Sequence, residues 1–435
     1  MRLALRSLLV FRLAVGLAAG CLLAIGAEAP QYVGVTSCSS QTCHGSVQPI
    51  PNGKVLQNEY STWLVRDKHT RAYANLSNDV GRRIIKIMNL DDKGVAERCY
   101  PCHSVQVPSD RLARTFDRQS GVTCENCHGP ASQWLEPHDK PGWNYDRVVK
   151  ELGLYPTRDL VRRTSKCLEC HVGTSKAEVD HELIAAGHPD LFFELGSFMA
   201  VMPAHWNEAD KDPWFTVRAV AVGQAVGLRE QLKRIAREAQ KGPWPEYAEL
   251  DCFACHHGIY TPDSWRQDSG YRDRRPGNAQ WNLSRYVVLA RVIQETDPAT
   301  AQLLTTEIGR LYALITALQS DRNQIAAQAA NTAEIADRLA GVLNGMTFDQ
   351  AMALRLMKSI TADAMVVAQD GERSAEEATM VLDSLFVAYS NNAPANADPR
   401  IKAGIKNLFA QLDPPSLYNA VTFSASLNSL QSLLQ

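Results

Sequence analysis

Beyond His257 this 435-residue sequence contains no cysteine and no histidine, and beyond Trp281 it contains no tryptophan. The last third of the chain therefore has no thiol or imidazole with which to bind a transition metal or to run nucleophilic chemistry. The formal net charge is only −2, so the sequence lacks the basic excess of a nucleic-acid binder, and it has no acidic tail. Past the N-terminus no stretch approaches the ~20 apolar residues of a membrane span.

The N-terminus has the shape of an export signal. Arg2, Arg6 and Arg12 supply a cationic start, and Leu13 to Ala27 form an uncharged apolar run of 15 residues before Glu28 and Pro30. That length suits a secretory core and is short for a span. Residues 1–29 are read as the signal, with cleavage after Ala27, and the expected location is the periplasm. Leu17-Ala18-Ala19-Gly20-Cys21 loosely resembles a lipidation site. Lipidation at Cys21 or a retained segment would each associate the protein with the membrane through its N-terminus.

Apart from Cys21, the cysteines fall into pairs, and a histidine follows each pair at once. Cys99/Cys102 with His103, Cys124/Cys127 with His128, Cys167/Cys170 with His171 and Cys252/Cys255 with His256 are C-x-x-C-H motifs. Cys38/Cys43 with His44 has four intervening residues in place of two. The spacing has a chemical reason. Two thioethers must reach the two vinyl positions on one porphyrin edge, and the next residue must then put an imidazole nitrogen under the iron. Disulfides would give no reason for a histidine after every second cysteine. Tetrahedral zinc would need the pairs to combine two by two, and five pairs do not. The expected cofactors are five covalently attached haem c groups, with the wider C-x4-C-H spacer as the softest member.

Six histidines lie outside the motifs: His69, His138, His181, His188, His205 and His257. All fall within the haem-bearing stretch, so bis-His ligation is expected, with lower potentials than Met/His ligation would give. His69, His138, His181, His188 and His205 are the distal candidates. His257 directly follows His256 and cannot turn back onto the same iron. His181 and His188 are seven residues apart. On a helix ending at Gly187 and Pro189 they would share one face about 10 Å apart, which suits two different haems. Met88, Met199 and Met202 are alternative thioether ligands, although methionine is more often core filler.

The expected organisation is a haem-bearing unit over residues 30–275 and a helical unit without haem motifs over 276–435. The fold class is mainly α: short helices and loops around five haems, then a C-terminal helical bundle. Asp212-Pro213 should open a helix running towards Lys241, closed by Gly242-Pro243. In the tail, Asp297-Pro298 and Asp398-Pro399 should start helices, and Pro414-Pro415 should end the latter. Thr347 to Gln350 and Ser374 to Glu377 read as capping boxes, with Gly371 as a helix stop. Leu354, Met357, Ile360, Thr361 and Ala364 mark one buried face.

The haem-bearing stretch resembles the cytochrome c554 family, relatives of hydroxylamine oxidoreductase-type multihaem proteins. The residues that carry the likeness are Cys124-Glu-Asn-Cys127-His128-Gly-Pro-Ala-Ser132, the Trp63…Lys68-His69…Ala72-Tyr73 stretch and Ala185-Ala-Gly-His188-Pro189, within residues 32 to 260. The resemblance implies a mainly helical fold, close haem packing, periplasmic electron transfer, and His69 and His188 as distal ligands. Two departures stand out. The best-known form of the family is shorter and carries four haems. Where the family often places a histidine soon after Ala131-Ser132, this chain has Gln133 and Trp134, and His138 comes later.

The expected function is electron transfer between redox partners, either other redox proteins or a quinol-linked membrane complex, with no nucleic acid involved and no catalytic residue assigned. The alternative is an oxidoreductase acting on a small nitrogen or sulfur species at a five-coordinate haem. The C-terminal helices are a candidate oligomerisation surface.

Overall fold

The computed structural model describes residues 29–434, apart from 52, 54, 175–176, 209–211, 253–254, 257–279, 395–397 and 414. The signal reading over 1–29 and the role of His257 thus lie outside the described residues, save for Ala29. The chain is mainly helical, and among the described residues β-structure is confined to isolated bridges such as Tyr32–Leu112 and Leu250–Trp281. The first half carries α1 (Glu59–Arg66), α2 (Asp79–Ile87), α3 (Asp92–Arg98), α4 (Tyr100–His103), α5 (Cys124–His128), α6 (Tyr145–Leu152), α7 (Leu160–His171), α8 (His181–Ala185) and α9 (Leu195–Val201). The second half holds α10 (Phe215–Lys241), α11 (Ser284–Thr296), α12 (Pro298–Ile315), α13 (Arg322–Gly345), α14 (Gln350–Ala362), α15 (Ala364–Gln369), α16 (Glu372–Asn392), α17 (Pro399–Gln411) and α18 (Ala420–Leu433).

The two halves bury apolar surface very differently. One large cluster runs from Leu160 to Leu434 and centres on α10, which lies along α13 and also meets α7, α9, α11 and α16. Seventeen of the 27 residues of α10 are buried, too many for a helix with one wet face. Its Val217, Val220, Val226, Leu228 and Leu232 are fully covered, each contributing about 1.5–3 kcal/mol. Gly223 lets α9 approach: a Cβ there would sit 2.8 Å from the Leu195 Cβ. This core draws residues from both sides of position 275, because α7, α9 and α10 pack against the tail helices.

By contrast, residues 30–159 contribute only to two small clusters. One gathers Ile84 with Val179, Leu183 and Ala186; the other gathers Ala131, Trp134, Val148 and Leu154. So little apolar burial does not offset the entropy of ordering that much chain. That half needs another source of core.

Helix boundaries follow the sequence signals where a proline sets them. α12 starts at Pro298 with Asp297 accepting from the Thr300 amide at 3.1 Å, and α17 starts at Pro399 with Asp398 as its cap. The two expected capping boxes are corrected. Asp349, not Thr347, caps α14, accepting from the Met352 amide at 2.7 Å. Ser374 lies inside α16, which begins at Glu372, and its hydroxyl bonds Asp370 at 2.5 Å. The helix from Gln350 also breaks at Asp363 before Gly371 is reached. The buried face is as expected at Met357, Ile360, Thr361 and Ala364.

Candidate functional site

Local geometry explains how each cysteine pair presents its histidine. In Cys99–His103 the His103 amide bonds the Cys99 carbonyl at 3.0 Å, and His256 reaches Cys252 at 2.7 Å in the same way. One helical turn thus brings the first cysteine and the histidine to the same face. Cys124–His128 is α5 itself, with Asn126 accepting from the Thr123 amide at 2.8 Å. Cys167–His171 is the last turn of α7. In Cys38–Cys43 the longer spacer is taken up by a turn of its own, with the Cys43 and Gly45 amides both at 2.9 Å from the Ser40 carbonyl. Gly129, after His128, has φ +82, and a Cβ there would meet the Gly153 carbonyl at 2.8 Å. The glycine of C-H-G-P-x-S is therefore required by a close backbone approach.

Cys252 and Cys255 differ from the other C-x-x-C-H pairs in their surroundings. The turn is present, with the Cys255 amide 3.2 Å from the Cys252 carbonyl. Both residues are nevertheless exposed, whereas the cysteines of the other three C-x-x-C-H motifs are partly covered. The reason is their place in the chain. They follow α10 and the short turn Tyr247–Glu249, and neither joins any of the apolar clusters. Cys43 is exposed as well, on the turn that its longer spacer forms.

Four motif histidines each face one histidine from outside the motifs. The ring centroids are 6.1 Å apart for His44 and His138, 6.4 Å for His171 and His69, 6.3 Å for His103 and His188, and 6.3 Å for His256 and His181. An imidazole–metal bond is about 2.0–2.1 Å and the ring centre lies roughly 1.1 Å behind the nitrogen, so two rings sharing a metal have centroids about 6.3 Å apart. Ordinary aromatic contacts spread over about 4.5–7 Å, whereas these four fall together at the expected value. The interplanar angles range from 10° to 86°, as expected for rings that share an axis and are free to rotate about it.

Hydrogen bonds leave the right nitrogen available. Nδ1 of His44 meets Glu59 Oε2 at 2.9 Å, Nδ1 of His69 meets Asp67 Oδ1 at 2.9 Å, and Nδ1 of His103 meets the Ala72 carbonyl at 2.7 Å. His188 Nδ1 lies 2.8 Å from the Pro189 carbonyl, and His138 Nδ1 bonds the Leu135 carbonyl. A ligating imidazole donates its second N–H in this way, which fixes both tautomer and ring direction. Burial pulls His128 and His171 down to about 4, so both are neutral, the form that ligates. These donor sets fit haem iron.

The carboxylate partners give a prediction. An imidazole bonded to a carboxylate is more basic and favours ferric iron. Asp67→Asn is expected to raise the potential of the haem at His171 and His69 by an amount on the order of tens of millivolts, read by potentiometric titration.

His128 is the motif histidine outside these pairs. His205, a distal candidate from the sequence, lies within electrostatic range of it, and His205 Nδ1 lies 3.4 Å from the Pro203 carbonyl. His181 and His188 face different motif histidines, although α8 ends at Ala185 and not at His188 as expected. Gly187 at φ +111 turns the chain, and the His188 amide returns to the Leu183 carbonyl at 3.0 Å. Met88 and Met199 pack against the apolar clusters as filler.

The attachment motifs also adjoin one another. The thiols of Cys38 and Cys124 lie close enough to shift one another's acidity, as do those of Cys102 and Cys170, and Cys127 lies within electrostatic range of Cys167 and Cys170. The ten described cysteines form no disulfide, and among the described residues no three Cys, His, Asp or Glu side chains converge as a metal cage.

Residues 37–129 match the family model of cytochrome c554 and c-prime. Over its first three motifs the chain is thus similar to cytochrome c554, a shorter stretch than the 32–260 that the motifs suggested. The Cys167/Cys170 and Cys252/Cys255 pairs lie beyond the match. The c554 likeness supports a multihaem c-type cytochrome with covalently attached haem, of the electron-transfer kind. No curated protein and no solved structure matches the chain.

Sequence reasoning missed Glu59, Asp67 and Glu125. Asp67 stands two residues before His69, a spacing that lets one side chain bond the backbone and ring of the same histidine. Glu125, inside the C-E-N-C-H motif, is buried and accepts from the amides of Val33, Gly34 and Ala131, each at 2.8 Å. It ties the N-terminal segment to α5, a role that no local spacing announces.

Proposed function

We propose that the protein is a periplasmic pentahaem cytochrome that passes electrons between redox partners through adjoining bis-His sites. The observation that carries this reading is the set of four histidine pairs at 6.1–6.4 Å, each joining one motif histidine to one spare histidine. Bound haem c supplies one-electron exchange at iron. The chain's own part is to fix both axial imidazoles, to exclude water and to set the order of neighbours. The thiol contacts support an order His44–His128–His171–His103, and the short α8 segment joins the His103 site to the His256 site through His188 and His181. The cationic start and apolar run of the N-terminal sequence support export and periplasmic residence. The proposed partners are other redox proteins or a quinol-linked membrane complex.

Intact mass of the exported protein together with its electron paramagnetic resonance spectrum tests this. Five haem masses and a wholly low-spin spectrum are expected. Fewer masses, or paired sites that prove high-spin, would sink the reading.

A second reading attaches to His128, whose ring, among the described residues, has no counterpart at the separation that the other four motif histidines share. An open axial position there would make the protein an oxidoreductase for a small nitrogen or sulfur species. A high-spin component lost on replacing His128, with the other signals unchanged, would favour it.

A further inference from the structure

Three arginines line one polar cavity where α10 meets the first turns of α11 and α16: Arg234, Arg285 and Arg373. Two are already satisfied. Arg234 holds Glu249 at 2.8 Å and donates to the carbonyls of Val172 and Val179 at 3.1 and 3.2 Å. Arg373 pairs with Asp190. Arg285 differs. Among the described residues no carboxylate stands at ion-pair distance from it, and its hydrogen bond is a 3.4 Å contact from Nη2 to the Leu191 carbonyl. The nearest acids are engaged: Glu249 by Arg234 and Gln231, Asp190 by Arg373, and Glu377 by the Gln224 amide. Burial also holds Glu377 in its neutral form, up at about 8.

A guanidinium carries five donors and cannot shed its charge, and half-buried Arg285 has one long hydrogen bond and no ion pair among the described residues, which leaves most of its donors for an anion. The missing partner is therefore an anion that faces the cavity. The cavity wall says which one. Val172, next to His171, lines it, and so do Asp190, Leu191 and Phe192, which follow His188 and Pro189. Phe193, next along, packs its ring 4.9 Å from that of His171, and the charge of Arg285 acts on the His171 imidazole. A haem carries two propionate carboxylates, and a planar guanidinium takes a carboxylate through two parallel hydrogen bonds.

The geometry points to Arg285 as the receptor for a propionate of the haem held by Cys167, Cys170 and His171. This rests on the haem-binding reading above and gives the tail a part in it: the first turn of α11 supplies a binding group to a haem attached more than a hundred residues earlier.

The test uses the full-length exported holoprotein with Arg285→Gln and Arg285→Lys. Haem count by intact mass and the low-spin spectrum check the haem reading separately from Arg285. Arg285→Gln is expected to keep the full haem set while one redox component moves to lower potential, because a positive charge disfavouring ferric iron is gone. Arg285→Lys should hold that component near its wild-type value. Unchanged potentials in a fully loaded Arg285→Gln protein would overturn the assignment. Should Arg285→Gln fail to accumulate, the wild-type protein decides. A potential that shifts with added phosphate or chloride would put a soluble anion on Arg285 and overturn the proposal, whereas insensitivity to both supports it.

Discussion

Exchanging Cys167 and Cys170 for serine is expected to leave an exported protein one haem short whose two ends no longer exchange electrons. These cysteines sit at the middle of the contact order. The Cys102 thiol adjoins that of Cys170, Cys170 donates to the Pro101 carbonyl at 3.8 Å, and Cys127 on the other side lies within electrostatic range of both Cys167 and Cys170. The His44 and His128 sites would then be separated from the His103 and His256 sites. In a pulse-reduction experiment the wild-type protein should show a single redistribution of electrons over all sites. The variant should show two isolated pools. Serine replacement of Cys38 and Cys43, at one end of the order, also removes one haem but should leave the remaining sites in exchange. If both variants behave alike, the order of neighbours is wrong.

How much of this was legible before the structure differs by element. The attachment cysteines and their histidines are readable because porphyrin chemistry fixes a local spacing, and local spacing is what a sequence displays. The exposure of Cys252 and Cys255 was not, because the same spacing says nothing about what packs over it. The prolines at 298 and 399 announce helix starts for the same reason that the motifs are readable, whereas α10 starts two residues after Pro213, at Phe215 with Trp214 before it. The pairing of histidines was hidden too. His138 faces His44 across 94 residues of chain, and His69 faces His171 across 102, so only tertiary structure joins them. Thr347 and Ser374 misled because a capping pattern describes a local option. Asp349 and Gly371 stood closer to the packed helix starts, and packing decided. The tail reads as a helical bundle without haem motifs because it lacks Cys and His. Yet its core is shared with α7, α9 and α10, which amphipathic spacing alone cannot reveal.

The second large effect concerns acidity. Glu377 is 5% exposed, lies deep among α10, α11 and α16, and burial holds its pKa at about 8 against an ordinary 4.5. Arg285 opposes that rise and Glu194 and Glu376 add to it. In the folded protein Glu377 thus keeps its proton through the range in which the unfolded chain loses it. Its contribution to stability is fully present below pH 4.5 and is lost progressively as pH rises through about 8. Glu377→Gln keeps the shape and removes the titration. It should flatten the fall in stability between pH 5 and 8, and at pH 8 it should exceed the wild type by an amount of order 4 kcal/mol. Denaturant unfolding of both proteins at several pH values measures this, and parallel curves would refute it.

The uneven division of apolar burial has a consequence for biosynthesis. Ribosomes deliver the segment with Cys38, Cys99 and Cys124 first, and that segment has only the small clusters around Ile84 and Ala131 to hold it together. The part able to condense on its own side chains, from Leu160 to Leu434, is completed last. Early in its life the chain therefore presents its first attachment motifs on a polypeptide too poor in core to close over them. The same shortage that makes this half unstable alone keeps its cysteines open to the machinery that must reach them.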